Sequence, residues 1–145
     1  MPRVDFYILS SSAPLDRLRL VCRLADKAYH LGQRVYIQAA SPEQAQQLDD
    51  LLWTFTSASF LPHGIVPQAA PEDHPILIGH DAEPQGIEDL LINLSPQVPP
   101  FFNRFERVME LVEGSEAGRQ LGREHYRFYR DQGCALESHT LGQIT

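Results

Sequence analysis

Two short β-rich runs separated by one amphipathic helical stretch limit this chain more than any other feature. The first run is VDFYIL (4–9), which ends in the polar turn SSSAP. From Pro14, apolar residues recur at Leu15, Leu18, Val21, Cys22, Ala25, Ala28 and Tyr29, and Gly32 supplies the stop. Those spacings give one apolar face at helical period. RVYIQA (34–39) is the second run. Strands joined through a helix pair in parallel, by a right-handed crossover. SPEQ then opens a second helix, in which Ser41 suits the N-cap, Pro42 the first helical position and Gln44 a capping box.

The remainder continues the alternation. SFLPHGIV (59–66) reads as a short strand broken by proline. PILIG (75–79) and DLLINL (89–94) read as buried central strands joined by a polar loop. The spacing of Phe101, Phe105, Val108, Met109 and Val112 predicts a helix, with Glu106, Glu110 and Glu113 on its outer side. A last helix spans 116–131, and Gly133 is placed to end it. No repeat or long linker divides the 145 residues, so one domain is expected.

An α/β chain raises the question of a nucleotide. The turn after the first strand reads SSSAPLD, with no glycine and no Lys-Ser/Thr pair, so neither GxGxxG nor a Walker A loop is present. The expected fold is therefore α/β, an open and mostly parallel sheet flanked by helices. It is Rossmann-like without a phosphate-binding loop, with room for antiparallel edge strands. His74 and His80 lie near Asp73 and Asp81 without metal-site spacing. No GxSxG elbow surrounds Ser10–Ser12. No catalytic residue, metal or cofactor is expected. The two cysteines form no metal spacing, and MPRVDFYILSSSAP lacks the apolar core of a signal peptide, so a cytoplasmic location is expected.

Charge is the second constraint. The net charge is −7, which opposes general binding of nucleic acid. Yet Arg119, Arg123, Arg127 and Arg130 crowd the last helix. On a helical wheel they fall within about 80° of one another, with Tyr126 about 20° beyond Arg119. Leu121, His125 and Phe128 fall about 180–240° away and are expected to face the core. Four like charges on one strip repel unless an external anion joins them. An arginine fork beside an aromatic wall suits an acidic, partly apolar peptide ending in a free carboxylate.

The single tryptophan, Trp53, lies about 140° from the apolar stripe of the second helix (Ala45, Leu48, Leu51, Leu52, Phe55). Two readings stay open. If the helix runs through it, Trp53 joins Phe60, Leu61 and Pro62 in a surface patch suited to a partner. If the helix ends at Leu52, Trp53 folds inward.

Taken in order, FYIL, QAQQLDDLLW, SFLPH, LLINL and LGREHYRFYRDQG resemble the landmarks of the chi subunit of bacterial DNA polymerase III holoenzyme, over almost the whole chain. The resemblance implies a non-enzymatic accessory subunit of the clamp-loader assembly in DNA replication. Such a chain belongs to a DNA-directed DNA polymerase, a nucleotidyltransferase only as a complex. It implies two partners, the psi subunit and the acidic C-terminal tail of single-stranded DNA-binding protein, expected to end in DDDIPF. Trp53, Phe60, Pro62 and His63 match the psi-facing segment. Arg123, Tyr126 and Gly133 match the tail site, Arg119 keeps the charge of its position, and Arg127 and Arg130 extend the strip. Nothing is carried onto residues 67–86. Direct binding of single-stranded nucleic acid is the alternative, since Tyr126, Phe128 and Tyr129 interleave with the arginines. A cryptic nucleotide-dependent enzyme is the third reading.

Overall fold

The computed structural model describes residues 2–54, 62–66 and 74–141. Its strands are β1 (Arg3–Leu9), β2 (Val35–Gln38), β3 (His63–Ile65), β4 (Ile76–Gly79), β5 (Leu90–Asn93), β6 (Arg107–Val112) and β7 (Ala135–Leu141). They form one sheet in the order β3-β4-β2-β5-β6-β1-β7, and every pairing is parallel. The expected parallel α/β architecture holds, and the described edge strands are parallel too.

The helices are α1 (Pro14–His30), α2 (Pro42–Thr54) and α3 (Glu116–Asp131). α1 and α2 cover one face of the sheet. Leu18, Val21, Cys22, Ala25, Leu48 and Leu52 pack there on Val35, Ile37, Ile76, Ile78, Leu90 and Ile92. On the opposite face, Tyr129 of α3 and the ring cluster Phe101, Phe102 and Phe105 pack on Val4, Phe6, Tyr36, Leu91 and Val108. Adjacent strand residues alternate between the two cores, as the two-residue strand repeat requires. Central strands β2, β4 and β5 are buried throughout.

Local signals explain the helix ends. Ser41 Oγ accepts the Gln44 N–H at 3.1 Å, and Gln44 Oε1 reaches back to the Ala40 N–H at 2.8 Å. Gly32 and Gly133 both have positive φ, +79° and +84°. After α3 the Gly133 N–H donates to the Arg130 carbonyl and the Cys134 N–H to the Tyr129 carbonyl, a Schellman closure.

Two expectations are corrected and one element is added. Residues 101–112 are not one helix. A 3-10 turn (Phe102–Arg104) leads into strand β6. A spacing of four is one helical turn and also two strand repeats, so Val108 and Val112 share a face either way. Met109 belongs to the other core, and Glu110 points inward rather than out, only 4% exposed. The buried side of α3 is carried by His125 and Tyr129, while Leu121 and Phe128 are 36% and 39% exposed. Finally, β7 is an additional strand at the sheet edge.

Candidate functional site

α3 lies over the edge of the sheet formed by β1 and β7. Gly122 allows close approach, since a Cβ there would sit 3.0 Å from both Val112 methyls. Between helix and sheet lies a cleft of about 430 Å³. Its floor is Phe6, Ile8, Val112, Ser138 and Thr140, and its rim is Arg119, Arg123 and Tyr126. The Tyr126 ring, 39% exposed, stands 5.4 Å from the Phe6 ring. An apolar floor under two guanidiniums can bury an apolar side chain while pairing an adjacent carboxylate.

The strip has little internal compensation. The Arg119 guanidinium has no hydrogen-bond or ion-pair partner among the described residues. Arg123 donates to the neutral Gln120 at 2.8 Å, and Arg127 only to a backbone carbonyl at 3.5 Å. Glu124 is held by Gln120 at 3.3 Å instead of an arginine. Arg130 alone meets a carboxylate, its neighbour Asp131, at 3.4 Å. Arg127, Arg130 and Gly133 do not line the cleft. The sequence located Arg119, Arg123 and Tyr126 but not the floor. Its signal was the even-numbered set in FYIL and in β7, which only the β1–β7 pairing brings under α3.

A second surface lies at the opposite end of the sheet. α2 runs through Trp53 to Thr54, and Trp53 is 54% exposed. Its indole meets the His63 ring at 4.8 Å, nearly edge-on. His63 is buried, with Nε2 3.3 Å from Asp49 Oδ1. Pro62 is half-buried beside it. Of the two open readings for Trp53, the exposed one is observed. Phe60 and Leu61 lie outside the described residues.

Beneath α3 is a polar network that pattern reasoning missed. Glu110 Oε2 accepts from Tyr129 Oη at 2.6 Å and Asn93 Nδ2 at 2.9 Å, and Oε1 lies 3.0 Å from His125 Nδ1. His125 Nε2 lies 2.9 Å from the Pro96 carbonyl. With an acceptor on each ring nitrogen, His125 is satisfied when doubly protonated. Burial alone lowers its pKa, but the hydrogen bond and charge of Glu110, aided by the Pro96 carbonyl, outweigh this and raise it. Burial and the Glu110 charge push the Tyr129 phenol up.

Two other places offer little chemistry. Ligand-type atoms of Asp5, Glu137 and His139 lie within 4.8 Å of one another. Guanidiniums already hold these oxygens, Arg107 on Asp5 and Arg3 on Glu137, each at 2.6 Å. Burial raises the Asp5 pKa, but the bonds from Arg107 and His139 and the two arginine charges leave it below the usual carboxylate value. At the first strand–helix turn, where a dinucleotide fold holds phosphate, the Gly114 N–H donates to the Ser11 carbonyl at 2.8 Å. A Cβ at 114 would come within 2.5 Å of the Ser10 carbonyl oxygen. No helix among the described residues is long and apolar enough to cross a membrane.

Residues 1–137 match the family described as DNA polymerase III chi subunit, HolC. DNA polymerase III subunit chi of Pseudomonas aeruginosa is 42% identical over 144 residues, covering 99% of this chain and all of that protein. The subunits chi of Haemophilus influenzae and Escherichia coli are 31% and 30% identical, covering 95% and 97% of this chain and 96% and 99% of theirs. The chain therefore belongs to the DNA polymerase III chi subunit family, as an accessory component of the replicative polymerase.

Proposed function

We propose that this protein is a non-catalytic adaptor of the polymerase III clamp-loader assembly, a single cytoplasmic domain with one partner on each edge of its sheet. The α3–β7 cleft takes the acidic C-terminal tail of single-stranded DNA-binding protein, and the Trp53 surface takes the psi subunit. The observation that carries this reading is the uncompensated guanidinium of Arg119 beside Arg123, set over an apolar floor. In the reading, the terminal carboxylate pairs with the rim and the last apolar side chain fills the cleft. Arg127 and Arg130 meet the acidic residues before it. Trp53, Pro62 and His63, with Phe60, serve psi.

The test is fluorescence anisotropy of a labelled peptide ending in DDDIPF, at two salt concentrations. Losing a charge-assisted bond costs about 1.5–3 kcal/mol, so Arg123→Ala should weaken binding roughly ten- to hundredfold. Because the strip is exposed, wild-type affinity should also fall as salt rises. Equal affinity for wild type and variant, at both salt concentrations, would sink the reading.

Direct binding of single-stranded nucleic acid keeps one supporting observation, the exposure of both Tyr126 and Phe128. Their wheel positions are about 160° apart, however, so they do not form one stacking platform. A gel shift on bare against protein-coated oligonucleotide separates the two, with adaptor function requiring the coat.

A further inference from the structure

We infer that the cavity at the carboxyl ends of β2, β5 and β6 binds a small zwitterion of the amino-acid class, on the side of α3 away from Arg119 and Arg123. The topology marks the place. Neighbouring strands β1 and β6 lead into α1 and α3, which cover opposite faces of the sheet. Parallel α/β sheets bind ligands in the crevice outside their carboxyl ends, where the connections diverge in this way. The bond from Gly114 to Ser11 closes the position directly behind β1. Beside it, between the first turns of α1 and α3, lies a cavity of about 210 Å³ that reaches Ala40 after β2 and Leu94 after β5. It meets the peptide cleft only at Val112 and Gly122. An apolar cavity of about 150 Å³ holds benzene, so this one suits roughly eight non-hydrogen atoms, too few for a nucleotide.

Opposite charges line this cavity without meeting. Arg17 and Glu113 both border it, and neither has an ion-pair partner among the described residues. Arg17 Nη1 reaches only the Leu111 carbonyl, at 3.3 Å, and its Nε is buried with no acceptor among those residues. Burial lowers the Arg17 pKa, and the Glu113 and Glu110 charges only partly offset this. Ser95 and Ser115 add hydroxyls. Each Oγ accepts a backbone N–H, from Gln97 at 3.2 Å and from Gly118 at 3.0 Å, which leaves its proton to donate. Glu110 also borders the cavity, but Tyr129, Asn93 and His125 hold its oxygens. The groups left to a guest are therefore one guanidinium and two hydroxyl donors, with one carboxylate as acceptor. A guest carboxylate suits the guanidinium fork, and a guest ammonium suits Glu113. Leu94 and Leu121 give a short aliphatic side chain an apolar wall. A lone anion would meet the Glu113 charge and a lone amine the Arg17 charge, so one molecule carrying both signs is selected.

The probe is L-valine, which matches the cavity in size. Titration followed by amide chemical shifts should move the Ser95, Ser115 and Gly118 signals to saturation. Isovalerate lacks the ammonium and isobutylamine lacks the carboxylate. Each should bind roughly tenfold or more weakly than valine, as expected for a lost charge-assisted hydrogen bond. Arg17→Gln and Glu113→Gln should weaken valine by a similar factor, with amide signals outside the cavity preserved to show an intact fold. The analogue series on the unmodified protein decides the matter where a variant misfolds. Failure of valine to bind, or binding equalled by isovalerate or by inorganic phosphate, overturns the zwitterion site. Valine binding undiminished in both variants overturns it as well.

Discussion

The Glu110 carboxylate joins three elements through one side chain: β6 that carries it, Asn93 at the end of β5, and His125 and Tyr129 on α3. Its charge is offset by the imidazolium that the Pro96 carbonyl also favours. Removing one partner from a buried pair leaves the others unmatched, which typically costs about 3–5 kcal/mol. Glu110→Ala should therefore destabilise by that order, read as a lower midpoint in urea. The pH dependence follows from His125. Its folded pKa is raised above the unfolded value, near 6.5. The stabilisation is full below that value and is lost as pH rises through the folded pKa. Glu110 and Glu124 are the charged groups whose fields act on the ring. Urea unfolding should thus show stability falling above about pH 6.5, and His125→Ala should flatten that slope. An unchanged slope would mean that His125 stays neutral in the fold.

At the level of elements, α3 carries the site, and glycine sets its height above the sheet. A Cβ at Gly118 would lie 2.6 Å from the Glu113 carbonyl oxygen and 2.9 Å from the Glu113 Cβ. Backbone cannot yield as a side-chain tip would. In an open helix Gly→Ala gains about 1 kcal/mol. Here the overlap should win, and Gly118→Ala should destabilise by about 1–3 kcal/mol and weaken the acidic peptide. Denaturation with parallel anisotropy checks both, and a stabilised variant would show that α3 rides free of the 113–115 turn. What the sequence disclosed follows the same physics. α1, α2 and the central strands carry strong apolar periods and were legible. β6 was not, because Val108 and Val112 fit helix and strand alike, and only Met109 opposite them decides. β7 was not, because ALESHTL is an exposed edge with a weak alternation. The arginine side of α3 could be read from the wheel. Its buried side could be read only in part: the wheel turned His125 inward, as observed, but turned Leu121 and Phe128 inward as well and gave no weight to Gly122, which lets the helix approach the sheet.

Across the whole molecule, the sheet order separates the two proposed surfaces. β3, which holds His63 beneath Trp53, is one edge, and β7, which floors the cleft, is the other. Six interstrand steps of about 4.8 Å put them roughly 29 Å apart, three Debye lengths or more in physiological salt. Charges at one surface are therefore screened from the other, and no residue is shared. Sites that far apart without shared partners add nearly independently. The sole tryptophan makes this measurable without a label. Saturating the cleft with the acidic peptide should leave Trp53 emission unchanged, while psi should shift it to the blue as the indole is covered. Trp53→Ala should abolish most psi binding yet leave peptide affinity within about twofold. Since Trp53 is half exposed, the same variant should cost little stability, about 1 kcal/mol or less. A Trp53 response to peptide as large as the response to psi would place both ligands on one surface. The bridging role would then fail, because a bridge needs both edges of the sheet occupied at once.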